Sequence, residues 1–366
     1  MFDIGARIKA AILGDRNERL TIPIMDGALK PNNAIEEAPV LAEAPGLEDL
    51  ALGNDGTLYA ACDNTVVAVG ADGTLSERAR YDRAVTALAI GADGTRAVGL
   101  GNAVAIEPPS GARRLIEQCD GRRLTAVNAL QATADGTLLI SDGSATRPCT
   151  EWTHDLLEHG HTGRVLRHRP GTEQTTTLAG GLGYAFGVLA VSQGHVLVSE
   201  SWRHRVMLLD GRAARPAYSG LPGYPGRIAP AADGGFWLAV VAARTQLVEF
   251  VLCEDEYRRE MMRTVDPRYW VAPALSSGHD FLEPLQGGSV KQMGILKPWA
   301  PPRSYGLVIR LSADLIPQYS LHSRVGGRHH GIVAVAQRGD DLFVLSKGAG
   351  RILKLSLPQI VETYAR

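Results

Sequence analysis

Asn54-Asp55-Gly56-Thr57-Leu58-Tyr59 reads as a tight turn running into a strand, and the pattern returns five times. The later copies are Ala92-Asp93-Gly94-Thr95, Ala134-Asp135-Gly136-Thr137-Leu138-Leu139, Ser192-Gln193-Gly194-His195-Val196-Leu197, Ala232-Asp233-Gly234-Gly235-Phe236-Trp237 and Gly339-Asp340-Asp341-Leu342-Phe343-Val344. Glycine takes a positive φ without steric cost and Asp or Asn before it tolerates the same region, so Asp-Gly between apolar runs signals a hairpin. From Gly56 the markers Gly94, Gly136, Gly194 and Gly234 follow at steps of 38, 42, 58 and 40 residues, and 107 more lead to Asp341. A period of roughly 40–45 residues with several strands per unit marks a β-propeller. The expectation is therefore an all-β, six-bladed β-propeller spanning 1–366 as one closed domain. Its working site is expected in the central channel.

Composition narrows the function. Formal net charge is −1, so no electrostatic case exists for nucleic acid or an anionic membrane as partner. The four cysteines, Cys62, Cys119, Cys149 and Cys253, are scattered without a CxxC pair and read as small buried residues of a reducing compartment. The longest apolar run near the N-terminus is Ala10 to Leu13, too short for a signal-peptide core or a membrane span. A cytoplasmic location is the default expectation.

Along the chain, residues 1–40 are expected to supply a short amphipathic helix (Met1 to Asn17) and a closing strand at Leu20 to Met25. Such a strand would complete the last blade and remove its open edge. Blade one begins near Leu41, blade two spans Ala84 to Ile106, blade three Leu124 to His168 and blade four Thr177 to Asp210, and blade five starts near Leu221. The long third step holds an insertion, Cys149 to His161, rich in His, Asp and Glu. A second insertion, 243–302, breaks the repeat. It is read as one surface helix over Gln246 to Val265 followed by a Pro/Gly-rich segment, lid-like over one face. Trp270, Trp299 and Tyr305 either form an aromatic lid or pack the insertion down.

Several motifs, in order, resemble the strictosidine synthase-like family. Ala44-Pro45-Gly46-Leu47-Glu48-Asp49-Leu50-Ala51 is similar to its opening blade, Val127-Asn128-Ala129-Leu130 to its VNDL element and Gly163-Arg164-Val165-Leu166 to its GRLL strand. Val196-Leu197-Val198-Ser199-Glu200-Ser201 with Arg205-Val206 resembles its VLVAET…RI pair. Phe236-Trp237-Leu238-Ala239 after Leu221-Pro222-Gly223-Tyr224-Pro225 resembles its fifth blade. The related senescence-marker and gluconolactonase proteins share the six-bladed fold. In the metal-dependent relatives the resemblance implies a divalent cation on a blade-one Glu, two Asn and an Asp. Glu48 and Asn128 match two of these, but Phe186 and Gly226 stand at the others. A hard cation wants six to eight oxygens. The expectation is thus no cofactor, with Glu48 and Asn128 able at most to hold calcium weakly. Strictosidine synthases use a late-blade Glu as acid/base, and Ala334 stands in that register here.

The remaining candidates come from the residues themselves. His329 and His330 precede the last inner strand. Only one of two neighbours on a strand can face the channel, and His330 is preferred as acid/base beside Glu48. Asn128, Tyr184, Phe186, Arg227, Glu200 and Trp202 are the candidate substrate-binding residues, with the Arg227 fork suited to an anion. Ser201 and His204 lack a nucleophile-elbow motif, and His154-Asp155 and His159-Gly160-His161 have only loose metal-ligand spacing. The functional expectation is a small-molecule hydrolase acting on a lactone, ester or similar bond of an organic, aromatic or anionic substrate. The alternatives are a lyase or Pictet–Spengler-like condensing enzyme, and a non-catalytic binding propeller.

Overall fold

The Asp-Gly-Thr turns close on themselves. In the computed structural model Asp55 accepts the Thr57 amide through Oδ1 at 3.0 Å and its hydroxyl through Oδ2 at 2.8 Å. Asp93 does the same for Thr95 and Asp72 for Thr74. Gly56 and Gly94 sit at φ +78° and +83°, a conformation that side chains rarely adopt. The turn is thus specified by three consecutive residues, which is why it is legible along the chain.

The structure describes residues 21–171, 174–191, 194–211, 213–284 and 303–364. Each of six four-stranded antiparallel sheets is one blade, with its first strand innermost. Blade I is Leu47–Leu52, Leu58–Cys62, Thr65–Val69 and Leu75–Arg80, and blade II runs from Ala87–Ile90 to Arg114–Ile116. Blade III starts at Val127–Ala132, blade IV at Ala185–Ala190 and blade V at Gly223–Pro230. Blade VI is Ile332–Arg338, Asp341–Ser346 and Arg351–Ser356, and its outer strand comes from the other end of the described chain, Val40–Glu43. The first strands of neighbouring blades touch all the way round, from blade I to blade VI and back.

This closure corrects one expectation. Residues 21–25 form no strand, and Val40–Glu43 pairs with Arg351–Ser356 instead. Leu20 and the helix expected over Met1 to Asn17 lie outside the described residues. The 243–302 insertion also differs in detail. It enters after the second strand of blade V, Phe236–Ala243, as two helices, Gln246–Cys253 and Asp255–Thr264. The break is at Glu254, with φ −101° and ψ 84°. Thr245 caps the first helix by accepting the Val248 amide. Trp270 and Tyr305 are buried, and Trp299 lies outside the described residues.

Apolar side chains from facing blades interlock between the sheets. Leu47, Leu58 and Val67 of blade I meet Val333, Phe343, Leu345 and Ile352 of blade VI in one cluster. Full burial of each such side chain is worth about 1.5–3 kcal/mol, so this cluster helps to hold the first and last blades together. All four cysteines are free thiols. Among the described residues no helix is long and apolar enough to cross a membrane.

A chain lacking residues 1–43 would leave Arg351–Ser356 as an unpaired edge. The expected outcome is a lower melting temperature and concentration-dependent aggregation on size-exclusion chromatography.

Candidate functional site

The first strands begin, and the second strands end, on the same mouth of the channel. Side chains at those two kinds of position converge there on a narrow cavity of about 30 Å³, space for a water or two. Glu48 and Asn128 enter from the starts of blades I and III, and Tyr184, Phe186 and Tyr224 from blades IV and V. Ser201 and Trp202 follow the second strand of blade IV, and Lys347 follows that of blade VI.

The charged pair of this cavity is Glu48 and Lys347. The Lys347 ammonium lies 2.7 Å from Glu48 Oε1 and 2.5 Å from Oε2. An ammonium has three N–H donors; one goes to Oε1, while Oε2 is in ion-pair contact without hydrogen-bond geometry, which leaves donor capacity for a further oxygen. Lys347 is placed by its backbone: its amide donates to Gly331 at 3.0 Å, and Ser346 Oγ donates to the His330 carbonyl at 2.6 Å. The insertion presses on this turn. A Cβ on Gly348 would lie 1.9 Å from the Leu275 carbonyl oxygen, and Leu275 itself lines the cavity. Part of the insertion therefore roofs the mouth.

The walls are aromatic. Trp202 stacks on Tyr184 with centroids 4.4 Å apart and on Trp152 at 6.2 Å, and it meets Tyr224 edge-on at 6.0 Å. Phe186 meets Tyr184 edge-on at 6.1 Å. Buried Asp155 fixes Trp202 by accepting its indole N–H at 2.7 Å, and takes the Ser144 hydroxyl at 2.5 Å. Burial raises the Asp155 carboxyl, and those two hydrogen bonds oppose the rise. The Cys149 to His161 insertion is thus a docked support carrying the helix Trp152–Leu157, rather than a solvated loop. Tyr224 is held from behind by Glu249, which pairs with Arg244 at 3.2 Å.

Asn128 faces the cavity with its amide already engaged. Nδ2 donates to the Ala185 carbonyl at 3.0 Å, while Oδ1 accepts the Cys149 thiol at 3.2 Å and lies 3.4 Å from the Tyr184 hydroxyl. Burial pushes the Cys149 thiol up to about 12, so it stays protonated and donates.

Below this cavity the channel is plugged. Arg227 reaches the axis and donates to the carbonyls of Glu48 (3.0 Å), Thr86 (2.8 Å), Asn128 (2.6 Å) and Val333 (3.4 Å). Its Nε lies 3.1 Å from Asp49 Oδ1 in an ion pair too oblique to count as a hydrogen bond. The guanidinium also sits 5.3 Å over the Phe186 ring. Burial raises the Asp49 carboxyl, against the pull of Arg227 and the Leu88 and Leu50 amides. Past the plug, the opposite funnel of about 250 Å³ is lined by the first strands of all six blades.

Of the residues expected from sequence, Glu48, Asn128, Tyr184, Phe186 and Trp202 come together. Three expectations are corrected. Arg227 is occupied by the protein's own carbonyls and Asp49, and so does not receive a substrate anion. Glu200 is fully buried behind the wall, bonded to the Gly183 amide, Arg203 and Arg205. His330 and His329 do not line the cavity. His330 Nε2 lies 3.0 Å from the Arg324 carbonyl, which requires N–H there, so Nδ1 accepts the Ser304 hydroxyl at 2.8 Å. Ser304 in turn bonds Ser277, so this histidine anchors the insertion. Burial lowers the pKa of both histidines. Ser201 gives its hydroxyl to the Pro225 carbonyl at 2.6 Å.

Sequence reading missed Lys347, Trp152, Tyr224, Cys149 and Asp49. A signal existed for Lys347: it follows the second strand of its blade, as Ser201 and Trp202 follow theirs.

Ring and mouth define the class, a six-bladed propeller whose axial channel is plugged midway. A gluconolactonase from Xanthomonas campestris superposes with a TM-score of 0.55 over 86% of this chain and 87% of its own, at 15% identity. The luciferin-regenerating enzyme does so at 0.54 over 88% and 94%, at 14% identity, and at such identities the likeness establishes the fold alone. The family match is more particular. Residues 128–208 match the family model for strictosidine synthase. The Arabidopsis thaliana protein strictosidine synthase-like 6 is 32% identical over 136 residues, 36% of this chain and 37% of that one. The chain thus matches little more than a third of that relative's length. The resemblance to the strictosidine synthase-like family is thereby shown, and the family model meets it in blades III and IV.

Arg227→Met would strand a buried carboxylate and four carbonyls. It should destabilise the fold by about 3–5 kcal/mol, read as a lowered urea midpoint. Arg227→Met/Asp49→Asn should recover part of that loss.

Proposed function

We propose that this chain is a small-molecule enzyme of hydrolase type, opening a lactone, ester or comparable acyl bond. The observation that carries the reading is the Glu48–Lys347 pair at the foot of an aromatic-walled, roofed cavity. A carboxylate that can accept a proton beside an ammonium with a spare N–H is a sufficient set for acyl hydrolysis.

In this reading the narrow cavity holds only water at rest, and a flat organic substrate displaces that water and parts the side chains around it to lie against Trp202, Tyr184 and Phe186. Its carbonyl oxygen takes a Lys347 N–H that Glu48 Oε1 does not use. Water attacks the carbonyl carbon and Glu48 accepts the proton it loses. Negative charge gathers on the former carbonyl oxygen, where the ammonium stabilises it. As the C–O bond to the leaving oxygen breaks, Glu48 returns the proton to that oxygen, and the carboxylate is regenerated. The cavity contains one carboxylate and one ammonium, and the Arg227 charge is consumed below it, so the favoured substrate is neutral and aromatic rather than anionic. The Pictet–Spengler alternative loses support at Ala334, which faces the opposite funnel and carries no acid.

The test is turnover of a panel of uncharged lactones and aryl esters, followed by pH-stat. Glu48→Gln should lower kcat/KM by about 10²–10⁴-fold with the fold intact. Lys347→Met should lower kcat by about 10²–10³-fold with a smaller change in KM. Turnover unaffected by Glu48→Gln would overturn the reading, and product from an amine–aldehyde screen would transfer it to the condensing class.

A further inference from the structure

We infer that the Lys347 ammonium takes the place of a bound divalent cation: it supplies the positive charge of the cavity and closes Glu48 to metal. The residues present do not fit a cation. Both Glu48 oxygens are within 2.7 Å of Nζ, a distance at which a second positive ion on the same carboxylate would be strongly repelled. The Asn128 side-chain oxygen already faces the Cys149 thiol and the Tyr184 hydroxyl. Phe186 presents a ring to the cavity. Position 226 has no side chain, and a Cβ there would meet Val241 at 3.2 Å. Among the described residues no group of three or more His, Cys, Asp and Glu side chains could hold a metal ion. Calcium needs six to eight oxygens, and this cavity offers none that is both anionic and unpaired.

The consequence is a site whose charge is covalently part of the chain. It cannot be removed by chelation or tuned by ion concentration. It depends on the turn Ser346-Lys347-Gly348, which the Leu275 segment and the Gly331 carbonyl hold in place. A lysine is held by the backbone and offers directed N–H donors, whereas a bound ion is held only by its ligands. The inference concerns ion occupancy and not which bond is broken, so it fails or survives independently of the proposed hydrolysis.

The experiment is calorimetric titration and thermal melting of the full chain with calcium alone, carried to about 10 mM, beyond the range of most protein oxygen sites. The wild-type protein should show no one-to-one binding heat and no change in melting temperature with calcium or chelator. Phe186→Asn, which returns an oxygen donor but keeps Lys347, should stay indifferent to calcium. Phe186→Asn/Lys347→Ala, which also frees both Glu48 oxygens, should gain a calcium-dependent rise of about 2 °C. Adding Glu48→Gln should abolish that rise, and Phe186→Asn/Lys347→Arg, which keeps a cation in place, should never show it. A folded Phe186→Asn/Lys347→Ala protein as indifferent to calcium as wild type would overturn the inference. So would one-to-one calcium binding by the wild-type protein that Glu48→Gln abolishes. The wild-type titration decides this second point even if Phe186→Asn/Lys347→Ala does not fold.

Discussion

One buried guanidinium organises this propeller. Arg227 leaves the first strand of blade V, reaches the axis and bonds carbonyls of blades I, II, III and VI while pairing with Asp49. First strands in a propeller turn some backbone carbonyls toward a channel, where an unpaired group is costly once water is excluded. Arg227 satisfies four of them with one side chain. The cost is a buried charge, which Asp49 offsets. The same contact divides the channel in two and separates the mouth that holds Glu48 from the funnel on the other side.

The second constraint is steric. Gly348 and Gly331 have no room for a side chain because the Leu275 segment lies on them. That contact couples the blade V insertion to the turn that carries Lys347. It also explains the role of His330, whose ring ties Arg324 to Ser304 and so fixes where the insertion returns to the ring. The two insertions that interrupt the repeat, at Cys149 and at Arg244, serve one purpose. Each braces a wall or roof of the same cavity, through Asp155 on Trp202 and through Glu249 on Tyr224.

The cavity departs from a cation cage by three coordinated differences: a ring at Phe186, no side chain at Gly226, and an ammonium at Lys347. The first two remove oxygen donors, and the third restores positive charge beside Glu48. Together they make an electrically balanced, aromatic cavity.

The turn chemistry of Asp-Gly-Thr, its spacing of about forty residues and the apolar alternation around it determined the blades and their number, because each is a local interaction among neighbours in sequence. The family motifs likewise pointed to Glu48, Asn128 and Phe186, and residue chemistry to Tyr184 and Trp202, all of which share one mouth. Tertiary structure alone decided the rest. Lys347 lies 299 residues from Glu48, and no local pattern announces a partner across a closing ring. The closing strand went to Val40–Glu43 because ring geometry, not propensity, selects which segment meets Arg351–Ser356. Arg227 and His330 carry the right chemistry for catalysis in sequence, yet packing turned one to the axis and the other to the root of the insertion. Whether a polar side chain is free to act depends on how many of its hydrogen bonds the fold has already taken.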